Sequence, residues 1–178
     1  MTLPTLLDGR ARFGRDTVQI YEGGQHFSYP PYSLDARAAF WTAWDRRNLY
    51  VALRLEDDQP ILSTEAGESV RLVIGEDTRQ TSEVQIAPTA DAEVKALLTA
   101  GDGVRTPLRA RAATADTGVD VEVVVPWRAL GIRPRSNAML RFDLFWTDVD
   151  REDEELVSGT LRWAGGARGL GHLLLSPE

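Results

Sequence analysis

The residues of this chain best equipped for chemistry are its tryptophans and one run of acids. Five tryptophans (Trp41, Trp44, Trp127, Trp146, Trp163) accompany four tyrosines. Indole faces stack on the apolar faces of sugar rings, while flanking charged and amide groups bond the hydroxyls. Trp163, Trp41 and Trp146, with Arg54, are therefore the candidate ligand-binding residues. Tryptophan also fills cores, and two positions read that way. Trp44 ends an alternating segment beside a turn, and Trp127 opens a short helical turn that plugs the interior. Trp146 lies on the inward phase of its strand, where burial competes with ligand contact.

The acidic run spans Asp143 to Glu155. Asp148 and Asp150 are two apart, so in an extended chain they share a face. Carboxylates held that close repel unless a cation lies between them, and Ca²⁺ prefers several oxygen ligands. Asp148, Asp150 and Asp153 are accordingly the candidate metal ligands, for a structural calcium. The competing reading is a hairpin turn with solvated carboxylates. The pattern is not an EF-hand loop, because no glycine follows at the required place.

Catalytic constellations are missing from the sequence. It contains no Gly-x-Ser-x-Gly elbow, no phosphate-binding Walker loop and no dinucleotide fingerprint. His26 and His172 are the only histidines, too few for a three-histidine zinc site and without partners for a triad. No pair stands out among the 27 acids as the two carboxylates of a glycosidase. The expectation is a protein that binds and does not catalyse.

Composition narrows the partners. A formal charge of −7 argues against nucleic acid, which demands a concentrated basic surface. Of 20 basic residues only Lys95 is a lysine. No apolar run approaches the ~20 residues that span a bilayer, so no membrane partner is expected. The opening MTLPTLLDGRARFGRD lacks the order of a signal peptide. With no cysteine, there is no disulfide framework and no thiolate metal site, and either redox compartment suits the chain. A secreted location follows if the chain was trimmed from a longer parent, a cytoplasmic one otherwise.

The elements that must position these residues alternate with period two. Leu49, Val51, Leu53 and Leu55 face one side of their segment, while Tyr50, Ala52, Arg54 and Glu56 face the other. Val70, Leu72 and Ile74 form a second such set, Val119, Val121, Val123 and Val125 a third, and Phe142, Leu144 and Trp146 a fourth. Each reads as a half-buried strand with one solvated face. Strands are predicted near 17–22, 37–44, 48–56, 68–75, 82–88, 92–99, 107–114, 118–126, 138–147, 155–164 and 170–175, separated by Asp-, Asn- and Gly-rich turns. Residues 126–131 predict one helical turn, with proline at its start and glycine at its end. Without βαβ spacing, the fold class is all-β: a two-sheet antiparallel sandwich, jelly-roll-like, forming one soluble domain over residues 1–178.

The order of several short motifs resembles a known family. Residues 43–58, AWDRRNLYVALRLEDD, look like the "WD-x-x-x-LYVA-x-x-x-x-D" hallmark of family 9 carbohydrate-binding modules (CBM9). ESVRLVI (68–74) stands where that family has "DSVE" and three further residues. VEVVVPW (121–127) with Leu130 and Gly131, Phe142-Asp143, Asp148-Val-Asp150, Leu161-Arg-Trp163 and GLGHLLL (169–175) follow in the family's order. The resemblance covers approximately residues 35–176.

It implies a two-sheet β-sandwich that holds sugars, notably the reducing ends of glucans and xylans, between two tryptophans, and that carries structural Ca²⁺. Trp163 matches the family's late tryptophan wall. The other wall usually comes from an aromatic before "DSVE", whereas residues 59–67 here have none, which leaves Trp41 as the substitute. Glu68 and Arg71 replace the Asp and Glu of that motif. The alternative implied is the same fold without a sugar site, serving as a structural or protein-interaction domain. Related sandwiches bind haem b through axial methionine with lysine or histidine, for which Met139, Lys95, His26 and His172 supply the residue types. A lone methionine in a strand otherwise reads as buried core filler.

Overall fold

A computed structural model of the chain describes residues 18–20, 37–57, 60–63, 67–77, 80–89, 93–115, 118–152, 155–163 and 170–175. The alternating segments form antiparallel strands in two sheets. The first sheet is built from β1 (Val18–Ile20), β2 (Arg37–Trp44), β3 (Asn48–Glu56), β8 (Arg109–Ala115) and β9 (Gly118–Pro126), in the order β1-β2-β3-β9-β8. The second contains β4 (Ser69–Gly75), β5 (Thr81–Pro88), β6 (Val94–Thr99), β7 (Arg105–Pro107), β10 (Met139–Glu152) and β11 (Glu155–Arg162). Its order is β11-β10-β4-β5-β6-β7, and β12 (Gly171–Leu174) also pairs with β10. The four-residue helix α1 (Trp127–Leu130) joins β9 to the second sheet and ends on Gly131, whose φ of 70° is the left-handed cap that glycine adopts freely.

Period two explains where the core sits. Leu49, Val51, Leu53 and Leu55 of β3 meet Val119, Val121, Val123 and Val125 of β9 on the inner face of the first sheet. Val70, Leu72 and Ile74, with Phe142, Leu144 and Trp146, line the inner face of the second. All belong to one buried cluster. Burying a branched aliphatic or aromatic side chain contributes roughly 1.5–3 kcal/mol each, so this filling is the main source of stability.

Three local expectations change. The strand expected over 107–114 divides at Leu108, whose N–H bonds Ala96 O of the second sheet, while Arg109 onwards pairs with β9 in the first. The division is where the chain crosses between layers. The strand expected to end near 147 continues to Glu152, fully paired with β11. Asp148 and Asp150 therefore lie inside a ladder and not in a turn. Lastly, the outer face of the first sheet is not simply solvated: Tyr50, Ala52, Asp120 and Glu122 are all buried there. β3 and β9 are its middle strands, and Ala43, Tyr50 and Val124 form a small apolar cluster of their own on that face.

Candidate functional site

Three buried carboxylates meet at one end of the sandwich. Asp57 follows the last residue of β3, Glu68 precedes β4, and Asp148 points inward from β10 beyond Trp146. Each offers an oxygen within 4.8 Å of the others. Local chain geometry puts Glu68 there. Glu68 N–H bonds Ile61 O at 2.9 Å, closing the loop, and Gly67 lies so near Ile61 O and Ser63 that a Cβ would approach both to 2.3 Å. Only glycine allows that closure.

The electrostatics of the cluster are unfavourable for three anions. Burial pushes the Glu68 carboxyl up to about 8; the charges of Asp57 and Asp148 and a side-chain hydrogen bond with Asp57 add to it, while a hydrogen bond from the Trp146 indole N–H, 3.2 Å from Oε2, opposes the rise. Glu68 is 1% exposed. With Asp57 as its acidic hydrogen-bond partner, this buried carboxyl is costly to ionise unless a cation joins it. Oxygens around one Ca²⁺ at 2.3–2.6 Å stand at most about 5 Å apart. The donor set is all-oxygen, anionic and close enough to fit a hard divalent cation.

The sequence-predicted metal ligands divide. Asp148 is in the cluster. Asp150 shares its face two residues further along and is only half-buried, and Asp153 lies outside the described residues. Asp57 and Glu68 were not expected as ligands. Their signal was positional: Asp57 is the closing acid of the WD…LYVA…D pattern, and Glu68 replaces an acid at the head of the next strand.

The tryptophans also separate. Trp146 is fully buried beneath the carboxylates, so its ring offers no surface to a ligand. Trp127 is buried as well; its indole N–H bonds Asp45 O at 2.9 Å and fastens α1 to the β2–β3 turn. Trp163 is half-buried at the sandwich edge, edge-on to Phe40 (5.4 Å, 83°) and Phe142 (5.7 Å, 66°). Its six-membered ring lies over Gly171, where a Cβ would come within 2.3 Å of Cζ3. Trp41 follows Phe40 on the same strand and so points to the opposite side. Trp41 and Trp163 therefore cannot clasp one sugar between them.

Trp41 is instead half-buried on the outer face of the first sheet, facing Ala52, with the Arg54 guanidinium 5.9 Å from its ring centre. Arg54 donates to Asp120 across the β3–β9 pair at 2.9 Å, and this bond raises its pKa above the usual arginine value. Two of the expected ligand residues are thus brought together on one face as an indole beside a fixed charge pair.

On the outer face of the second sheet, Phe145 is flanked by its cross-strand neighbours Arg71, 4.0 Å from the ring centre, and Arg162, 5.0 Å away. Arg162 is held by the fully buried Asp143 at 2.6 Å, and Arg71 reaches Glu83 at 3.2 Å. The residue types suited to haem ligation do not converge. Met139 is 60% exposed, on the outward phase of β10 and not in the core. Lys95 is exposed on β6, three strand spacings (about 14 Å) from β10. His172 is exposed beside Arg141, and His26 lies outside the described residues.

No protein-family model matches this sequence, and no curated protein matches it. Solved structures do. A family 9 carbohydrate-binding module from Caldicellulosiruptor kristjanssonii in complex with cellotriose superposes with a TM-score of 0.56 at 15% identity, over 83% of this chain and 78% of that one. The fold is similar to that of CBM9. A CBM9 structure from the same organism in complex with glucose gives a TM-score of 0.50 at 15% identity, covering 74% of this chain and 69% of the other. A candidate carbohydrate-binding protein from Bacteroides uniformis ATCC 8492 gives 0.59 at 13% identity, covering 96% and 89%. At such identities the likeness fixes the CBM9-like sandwich and leaves side-chain roles to be argued from this chain. Among the described residues, no helix is long and apolar enough to cross a membrane.

Proposed function

We propose that this protein is a carbohydrate-binding module that acts by binding alone, with its outer indole, Trp41, as the stacking surface and Arg54 with Asp120 as neighbouring polar partners. The observation that carries the reading is the sandwich itself, which superposes on a module in complex with cellotriose over most of both chains. Trp41 is chosen over Trp146 because it is the less buried ring, and over Trp163 because a charge pair stands directly beside it. An apolar ring surface with a few fixed polar groups is the composition that small-ligand sites share.

The test is a titration of intrinsic tryptophan fluorescence with glucose, cellobiose and xylobiose, repeated on Trp41→Ala. Saturable change in the parent and its loss in the variant support the reading. Emission unmoved at millimolar sugar in both would favour a sandwich serving as a structural or protein-interaction domain.

The carboxylate cluster has a separate proposed role, as a structural cation site that ties the two sheets together at one end. Asp57, Glu68 and Asp148 would hold the ion, and the meeting of three buried carboxylates within 4.8 Å supports it. A bound Ca²⁺ would supply the positive charge that three buried carboxylates lack. Asp150, next on the same face, is the natural source of a further ligand.

A further inference from the structure

At the end of β3 opposite the carboxylates lies a groove of about 760 Å³, formed by the β2–β3 turn on one side and α1 with its following loop on the other. Among the described residues its charged lining is Arg46, Arg47, Arg128 and Arg133, with no acid. This is unexpected in a chain where acids outnumber bases 27 to 20. All four arginines are exposed, and none has a carboxylate partner within ion-pair distance among the described residues.

Asp45, the acid next to Arg46 in the chain, is already engaged. Asp45 Oδ1 accepts the backbone N–H groups of Arg47 (2.6 Å) and Asn48 (2.7 Å), and Oδ2 accepts the Tyr50 hydroxyl at 2.9 Å. Burial alone would raise that carboxyl, but these bonds and the neighbouring Arg47 charge hold it below the ordinary aspartate range. Asp45 therefore stays anionic, facing its own turn. The groove walls are also fixed to each other, since Trp127 N–H bonds Arg47 O at 3.0 Å and the Trp127 indole bonds Asp45 O. Between the arginines the apolar surface within reach is that of the half-buried Pro126 and Pro134; Trp127 and Ile132 lie behind them, buried.

We propose that this groove is a second binding site, for a short acidic saccharide bearing a carboxylate or sulfate on successive rings. Planar guanidinium forks match carboxylate and sulfate oxygens in pairs, and the volume falls within the usual range of small-ligand pockets. Sugar rings offer apolar faces to the two prolines and anionic groups to the exposed arginines. A long polyanion such as nucleic acid fits poorly, because beyond the groove the chain's net charge of −7 repels it. The choice of a saccharide over another polyacid rests on the carbohydrate-binding reading; the choice of an anion rests on the groove alone.

The experiment is calorimetric titration at low ionic strength with a short oligogalacturonate, a sulfated dextran, neutral cellobiose and poly-glutamate. The proteins are the parent, Arg128→Gln/Arg133→Gln, and the distant control Arg105→Gln, which changes an exposed residue of β7. The expected result is binding of the oligogalacturonate or the sulfated dextran that weakens with added salt. It falls about tenfold or more in the double variant, the scale of losing charged hydrogen bonds, and is unchanged in the control. Comparing the two anions shows whether carboxylate or sulfate is preferred. Equal binding by the double variant, or no binding of either anionic saccharide, overturns the site. Poly-glutamate binding as tightly as the oligogalacturonate overturns the saccharide class. The cellobiose arm reads the Trp41 site independently, so failure here and failure of the proposed function give different patterns.

Discussion

Glu68 is where a single proton or a single cation changes the energetics most. Its carboxyl titrates near 8 in the fold against 4.5 as an ordinary side chain. In cation-free protein the folded state thus holds a proton that the unfolded chain releases between those values. The stabilisation is complete below about pH 4.5 and is lost as pH rises through about 8. A urea midpoint measured in EDTA should fall across that window. Added Ca²⁺ should raise it most at the alkaline end, where the carboxylates are charged and available. Glu68→Gln should abolish both the slope and the calcium effect. A midpoint indifferent to pH, EDTA and calcium would dismiss the cation site.

Trp163 and Trp41 should part company under mutation. Trp163→Ala removes a ring packed on Phe40 and Phe142 and should cost about 2 kcal/mol, less than the ~3–5 of a fully buried aromatic. Trp41→Ala should cost little stability. Thermal melts of both variants check the contrast, and a large loss for Trp41→Ala would mean that its ring is structural.

Among the elements, β10 joins most of the molecule. It pairs with β4 on one side and with β11 and β12 on the other. Between β11 and β12, Trp163 rests on Gly171. Gly171→Ala should therefore displace that ring and destabilise the protein by about 1–3 kcal/mol, as overpacking does. Leu144→Ala, at the centre of β10, should cost about 2–5 kcal/mol through its cavity. Chemical denaturation reads both, and an unchanged Gly171→Ala would place the indole elsewhere.

The strands themselves were legible because alternation is local: Val119 to Val125 announce a face without knowledge of the partner. The extension of β10 was not. Asp148 to Glu152 lie past the strand end expected near 147, with a hairpin turn as the competing reading, and pairing with β11 holds this acidic stretch extended. The cation cluster was half legible for the same reason. Asp148 stood out by its neighbours, but Asp57 and Glu68 join it only because β4 pairs with β10 and the loop after β3 closes over them. No spacing along the chain encodes that meeting. Burial of Trp146 was readable from its phase, while the opposite facing of Trp41 and Trp163 needed the positions of Phe40 and Phe142.

Taken whole, the molecule is polarised along β3. The buried acids lie past Glu56, and the arginine groove lies at Asn48. Between them runs an aliphatic core that tells of fold and not of function. The carbohydrate reading therefore rests on the surface that the fold presents, and on Trp41 above all. The most direct test is calorimetric titration of the parent and of Trp41→Ala with a cello-oligosaccharide. The expected result is a saturable heat for the parent, with a Kd in the micromolar to millimolar range (a binding free energy of about 4–8 kcal/mol), and none for the variant. Equal heats from both proteins, or none from either, would contradict it.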